Sequence, residues 1–197
     1  MGKGERTRRM IVERAAPVFN TRGYFGASLS DLVRETGLEK GGIYNHFASK
    51  EELALAALDY AVGLLARRYQ EALVGKERAL DRLLAIVGAF RGLTDDTPVP
   101  GGCPILNTAV EADDTYPVLR DRARAAMDDW QRLLGGIVKR GVEAGELRPE
   151  ADPRAVATVI TATLEGALML SKLYDDPAHL DRAVEHLTQY LELLVRR

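Results

Sequence analysis

Residues 30–53 read SDLVRETGLEKGGIYNHFASKEEL. Just upstream, Ser28 is a helix N-cap with Asp31 three residues later, and Leu29, Leu32, Val33 and Thr36 then fall on one helical face. Gly37 stops that helix. A three-residue turn follows, and a short third helix carries Leu38, Ile43 and Phe47 inward. Ser49 and Glu52 form a capping box that opens a long fourth helix to about Tyr69–Leu73. Helix, glycine turn and short polar helix have the order and lengths of a DNA-binding helix-turn-helix.

Gly41 and Gly42, inside the short helix, cost about 2 kcal/mol relative to two alanines. Such a cost is offset where a backbone must approach a partner closely, as on the floor of a major groove; taken alone, a glycine pair also suits a loop. The neighbours favour the groove. Tyr44 and His46 can donate to phosphate oxygens, Asn45 can reach a base edge or a phosphate, and Lys40 can reach O6 and N7 of guanine. Lys50 adds its charge to the positive end of the fourth helix, which is unfavourable for folding but suited to holding a phosphate. Read singly, Tyr44 fits a core aromatic and His46 a surface histidine; together, in a basic segment, they make a docking face.

Working outward, Ile11, Ala15, Val18 and Phe19 stripe a first helix that stops near Gly23, with Pro17 predicting a bend or a weakened last turn. Beyond the fourth helix, helical spacing places further helices near 77–92, 104–112, 117–144, 153–174 and 178–195. No run of alternating residues suggests a strand. The fold class is therefore all-α: a three-helix head over 1–50 and a larger helical body over 51–197, about nine helices in all. In the last helix Leu180, Val184, Leu187, Leu191 and Leu194 repeat at 4, 3, 4, 3. The helix before it, with Val156 and Ile160, is apolar on more than one face. Two such helices from each of two chains would build a four-helix interface; the same pattern also fits a core within one chain.

The chain has 197 residues, of which 46% are hydrophobic and 28% charged, a globular composition. Its net charge of −2 hides a division, with +4 over residues 1–50 and −6 over the remainder. A basic head on an acidic body would steer one end toward a polyanion; +4 over fifty residues also fits ordinary surface variation. A solitary cysteine, Cys103, excludes a disulfide framework and a multi-cysteine metal site. The apolar stretch Ala155–Ser171 carries Glu165 and three threonines and reads as too short and too polar to span a bilayer, and no secretory signal opens the chain. The expectation is a cytoplasmic protein without a membrane partner. An enzyme in a helical bundle would want inward carboxylates with Glu-x-x-His pairs; these are missing, as are phosphate-loop and Gly-x-Ser-x-Gly patterns, so neither catalytic residue, cofactor nor metal is expected.

Over about residues 7–60 the sequence resembles the tetracycline-repressor-like (TetR) transcriptional regulators. The likeness is carried by Phe19…Arg22-Gly23-Tyr24, Ser28-Leu29-Ser30-Asp31-Leu32, Thr36-Gly37-Leu38, and above all Gly42-Ile43-Tyr44-Asn45-His46-Phe47 followed by Ser49-Lys50-Glu51-Glu52-Leu53. It implies that Ser28, Ser30, Tyr44, His46 and Lys50 touch phosphates and that Lys40, Gly41, Gly42 and Asn45 line the recognition helix. Over residues 70–197 the likeness is one of layout, with the last two helices forming a homodimer. Family members are typically repressors of an inverted-repeat operator, released by a small molecule. Candidate effector contacts are Tyr69, Phe90, Asn107, Glu111, Met127, Trp130, Glu165, Met169 and Tyr174, a set suited to apolar or planar compounds. Cys103, before Pro104 at a helix start, is either an inert packed thiol or an electrophile sensor. A helical protein–protein interaction module that keeps the head's shape without reading DNA is the rival reading.

Overall fold

The computed structural model describes residues 2–195. Among them are nine helices and no strand, apart from an isolated antiparallel bridge between Leu147 and Val195. The helices are α1 (Lys3–Gly26), α2 (Leu29–Thr36), α3 (Lys40–Tyr44), α4 (Lys50–Ala72), α5 (Ala79–Arg91), α6 (Pro104–Ala112), α7 (Pro117–Glu143), α8 (Pro153–Tyr174) and α9 (Ala178–Leu193). Packing divides the chain into two compact units, Met1–Leu65 with Pro98–Ala125, and Ala66–Thr97 with Ala126–Arg197. The head of residues 1–50 lies in the first unit, together with the start of α4, all of α6 and the start of α7.

In the first unit the apolar stripe of α1 (Ile11, Ala15, Val18) closes over Leu32 of α2, Ile43 of α3, Phe47 and Leu53 of α4. Helix α2 is short but well specified at both ends. The Ser28 hydroxyl accepts from Asp31 N at 3.1 Å, the Asp31 carboxylate accepts from Ser28 N at 3.0 Å, and Gly37 closes the helix in the left-handed conformation at φ 69°. At the start of α4, Glu52 N donates to Ser49 Oγ at 3.1 Å, while the Glu52 carboxylate reaches back to Ala48 N at 2.7 Å. The box is therefore one residue wider than the spacing suggests. Within α1 only Gly23 leaves helical dihedrals, at φ 73° and ψ 172°, so the interruption sits there and not at Pro17.

In the second unit α5 packs on α8 and α9, and α8 packs on α9. Asp152 caps α8 by accepting from Arg154 N at 2.9 Å, and Glu146 accepts from the first N–H of α5, that of Ala79, at 2.6 Å. The heptad-like seam of α9 is used within the chain. Leu180, Leu187 and Leu191 are inaccessible, as are Val156 and Ile160 of α8, while Val184 and Leu194 are half-buried. The five buried residues belong to the chain's own core, which corrects the expectation that these five form a surface for a second copy. The physical reason is that α8 is apolar on two sides. Its inner side takes the α9 seam, and its outer side leaves Ala155, Val159, Ala162, Met169 and Leu173 exposed, with Gly166 between them half-buried.

Helix α8 is also longer than its apolar run of Ala155–Ser171. Its 22 residues suffice, by length and composition, to cross a membrane. Half of its most apolar window is nevertheless buried against the second unit, as in a core helix.

Candidate nucleic-acid interface

Helix α3 exists because its two inward side chains are anchored. Ile43 and the following Phe47 are buried in the core of the first unit, and they turn Lys40, Gly41, Tyr44 and Asn45 outward. Gly42 and His46 are half-buried at the edge of this face. Lys40 and Tyr44, one helical turn apart, make a cation–π pair with the ammonium 5.9 Å from the ring centre. Ser28 and Ser30 are exposed at the start of α2, although the Ser28 hydroxyl is also engaged with Asp31.

The two glycines of α3 differ. A Cβ at Gly42 would touch the Leu38 side chain at 3.4 Å, whereas a Cβ at Gly41 would meet nothing within 4 Å. Neither has a positive φ. Nothing in the fold therefore requires glycine at position 41, and the helix-propensity cost there has no compensation inside the chain. A backbone left bare on an outward face is what close approach by a partner needs.

Electrostatics around this face are set by several ion pairs. Asp31, at the N-terminus of α2, is nearly inaccessible and pairs with Arg22 at 2.7 Å and Arg34 at 3.0 Å. The Ser28 hydroxyl and backbone N–H, aided by the two guanidiniums, hold its carboxyl at about 2, below the ordinary 3.8. Arg8 lies over the Phe47 ring at 4.5 Å and 3.6 Å from Glu52. The first turn of α1 passes beside His46, whose Cε1 would lie 3.9 Å from a Cβ on Gly4.

Lys50 is the first residue of α4. It is half-buried, with its ammonium 4.6 Å above the Tyr24 ring. Partial burial lowers its pKa, and the charge of Glu111 counteracts that effect. The Tyr24 ring stacks on Tyr116 with centroids 4.8 Å apart, and the Tyr116 hydroxyl donates to Glu51. That bond to Glu51, with a lesser one from Tyr24, raises the Tyr116 pKa. Glu111 accepts from the backbone of Tyr24 at 2.7 Å and of Phe25 at 2.9 Å.

The nine candidate effector contacts do not gather in one place. Tyr69, Phe90 and Trp130 form an aromatic cluster in the second unit, with centroids 4.8 Å apart for Tyr69–Trp130 and 6.4 Å for Phe90–Trp130. The Trp130 indole N–H donates to Thr161 Oγ1 at 2.9 Å, one turn before the buried Glu165, and Met127 is half-buried. Asn107 and Glu111 lie in the first unit, turned to α1. Met169 and Tyr174 are exposed, so in this chain they line no interior pocket; they stand on the outer side and at the end of α8. Cys103 is buried before Pro104. Among the described residues no cluster of three metal-ligating side chains occurs.

Sequence reasoning missed the ion pairs of Asp31, whose partners are three and nine residues away, and the bonds of Glu111 and Tyr116, whose partners lie far away along the chain. The one local signal was the arginine–glycine pair Arg22-Gly23, read there as a helix end.

Two family models match the chain. That of bacterial regulatory proteins of the tetR family covers residues 11–57, and that of the tetracyclin repressor-like C-terminal domain covers 79–187. A TetR transcriptional regulator from Chloroflexus aurantiacus is similar over 100% of this chain and 99% of its own, at 46% identity and a TM-score of 0.95. An uncharacterized HTH-type transcriptional regulator of Mycobacterium tuberculosis is 32% identical over 180 residues, covering 88% of this chain and 87% of its own. The TetR family regulator CifR, solved as a cysteine mutant with 26-bp double-strand operator DNA, is 25% identical, covering 92% of this chain and 94% of its own at a TM-score of 0.80. The chain belongs to the TetR family, non-enzymatic transcriptional regulators with a helix-turn-helix DNA-binding domain.

Proposed function

We propose that this protein is a cytoplasmic repressor that binds an inverted-repeat operator as a homodimer and is released by a small-molecule effector. The observation that carries the reading is the outward face of α3, where Lys40, Tyr44 and Asn45 surround a Gly41 that no contact within the chain requires. Residues 1–50 read the DNA: Lys40, Gly41, Gly42 and Asn45 face base edges, and Ser28, Ser30, Tyr44, His46 and Lys50 hold phosphates. Residues 51–197 dimerise and take the effector.

The second copy covers the outer side of α8. Ala155, Val159, Ala162, Gly166, Met169 and Leu173 recur at 4, 3, 4, 3, 4, and the small residues at its centre allow two helices to pack closely. Two α3 helices then enter successive major grooves about 34 Å apart. An effector of apolar or planar character packs against the Tyr69–Trp130–Phe90 cluster and favours the arrangement that does not fit DNA.

Selection of bound duplexes from a random pool tests the reading. The expected winner is palindromic, and its affinity falls by about 0.9 log unit per tenfold salt for each phosphate contact. Tyr44→Ala and Lys50→Ala each weaken binding uniformly across sequences, and Lys50→Ala, which removes a cation, also makes that slope shallower by about one contact. Wild-type protein that enriches no duplex overturns the proposal.

A further inference from the structure

We infer that Glu111 and Asn107 of α6 are positioning residues for DNA binding: they cap the break in α1 from outside and, through Tyr24 and Tyr116, set Lys50 in place. The inference rests on the DNA-binding reading above and adds the residues that hold the phosphate contact.

The chemistry begins with the orphaned groups of a broken helix. An unbroken α1 would join Tyr24 N–H to the Asn20 carbonyl and Phe25 N–H to the Thr21 carbonyl. With Gly23 at ψ 172° those bonds are lost, and the donors and the Asn20 acceptor need new partners. Helix α6 supplies them in complementary form. The Glu111 carboxylate accepts from both Tyr24 N and Phe25 N, while the Asn107 amide donates to the Asn20 carbonyl oxygen at 3.1 Å and to Asn20 Oδ1 at 3.0 Å.

Asn107 and Glu111 are four residues apart, so one face of α6 presents a donor to the carbonyl side of the break and an acceptor to the N–H side. Fit is tight on both sides: a Cβ on Gly23 would lie 2.5 Å from Glu111, and one on Gly101, in the loop leading to α6, 2.5 Å from the Asn20 carbonyl. The adjoining cavity is about 40 Å³, room for a few waters and too small for an effector-sized molecule.

From the break the arrangement leads to α4 in two steps. Glu111 fixes the backbone of Tyr24, whose ring lies flat on Tyr116 and beneath the Lys50 ammonium. Tyr116 bonds Glu51, the next residue of α4. Consecutive side chains at the start of α4 are thus held by one cluster that Glu111 orders. The Glu111 carboxylate attracts the Lys50 ammonium by its charge, and its hold on where that ammonium stands runs through Tyr24.

The test uses full-length protein and the duplex selected by the wild type, with affinity measured by fluorescence anisotropy across a salt series. In Glu111→Gln an amide NH2 faces one of the two N–H donors. Binding is expected to weaken about tenfold, equivalent to about 1.4 kcal/mol. The slope of log K against log salt should become shallower by about 0.9 for each phosphate that the variant no longer holds. Lys50→Ala should also cost less in the Glu111→Gln background than in the wild type, because the interaction it removes is already impaired.

Weaker binding with an unchanged slope and an undiminished Lys50→Ala effect would show that Glu111 only stabilises the fold, and would overturn the inference; so would unchanged affinity. Should Glu111→Gln fail to fold by circular dichroism, Tyr116→Phe, which removes only the hydroxyl on Glu51, carries the same expectations and the same refutation. Wild-type protein that binds no duplex refutes the DNA-binding reading and the inference with it, whereas wild-type binding beside indifferent variants refutes the inference alone.

Discussion

Gly23→Ala puts one methyl group at a tight point of the first unit, and its cost can be worked out in two parts. The first is conformational. At φ 73° and ψ 172° the residue occupies a region that is essentially open to glycine alone, and an L side chain there costs about 1–3 kcal/mol. The second part is the Glu111 carboxylate, whose two oxygens would lie 2.5 and 2.6 Å from the new carbon. That side chain can swing away, but it then abandons the N–H groups of Tyr24 and Phe25. A hydrogen bond to a charged group contributes about 1.5–3 kcal/mol. Phe25 is exposed, so water replaces its share, and about one such bond is lost outright. The sum is about 2.5–6 kcal/mol, a large part of the about 5–15 kcal/mol that holds a typical domain together.

Urea unfolding followed by far-UV circular dichroism reads the loss, and a double-mutant cycle separates its parts. In a Glu111→Ala background no carboxylate remains to be displaced, so Gly23→Ala should cost only the conformational part, about 1–3 kcal/mol. If Gly23→Ala costs the same in both backgrounds, the steric coupling to Glu111 is refuted. If it costs less than about 1 kcal/mol in the wild type, the backbone account fails as well.

Asp31 makes the head sensitive to acid. Because its folded pKa is lowered to about 2 from 3.8, the stabilisation it gives is fully present above about 3.8 and is lost as pH falls through about 2. Asp31→Asn should lower the urea midpoint at pH values near neutrality and flatten its decline across that acid window; an equally steep decline in the variant would contradict the assignment. The two apolar sides of α8 should respond differently to substitution. Ala162→Glu, on the exposed side, leaves the chain folded and yields monomers in analytical ultracentrifugation, whereas Leu187→Ala, in the core, costs about 2–5 kcal/mol of folding stability. A dimeric Ala162→Glu protein would move the interface elsewhere.

What could be read from the sequence followed the range of the interactions. Helix α2 was legible because Ser28, Asp31 and Gly37 specify its ends through contacts within a few residues, and the face of α3 because Ile43 and Phe47 sit at fixed spacing among polar neighbours. The seam of α9 was equally visible, yet spacing alone cannot say which helix covers it. Leu180, Leu187 and Leu191 show the same pattern whether the partner is α8 of the same chain or of another, and only burial distinguishes the two. Asn107 and Glu111, polar residues on a mostly apolar helix, gave no sign in the sequence of the groups they bond at the break in α1, which lie more than eighty residues away.

Those distant partners bear on how the recognition face keeps its shape. Helix α3 has five residues, two of them glycine, and cannot hold its own conformation. Its inner side is fixed by Ile43 and Phe47, but Lys50, proposed above to hold a phosphate, lies beyond it, on a helix whose first turn is secured by Tyr24 and Tyr116. Tyr24 in turn is positioned by a carboxylate that belongs to α6. On this proposal the residues that touch DNA and the residues that decide where those contacts stand are drawn from different segments. Affinity for an operator should accordingly respond to substitutions on α6 that never approach the duplex. Substitutions at buried positions in the second unit, such as Leu187, should lower stability while leaving the salt dependence of binding unchanged.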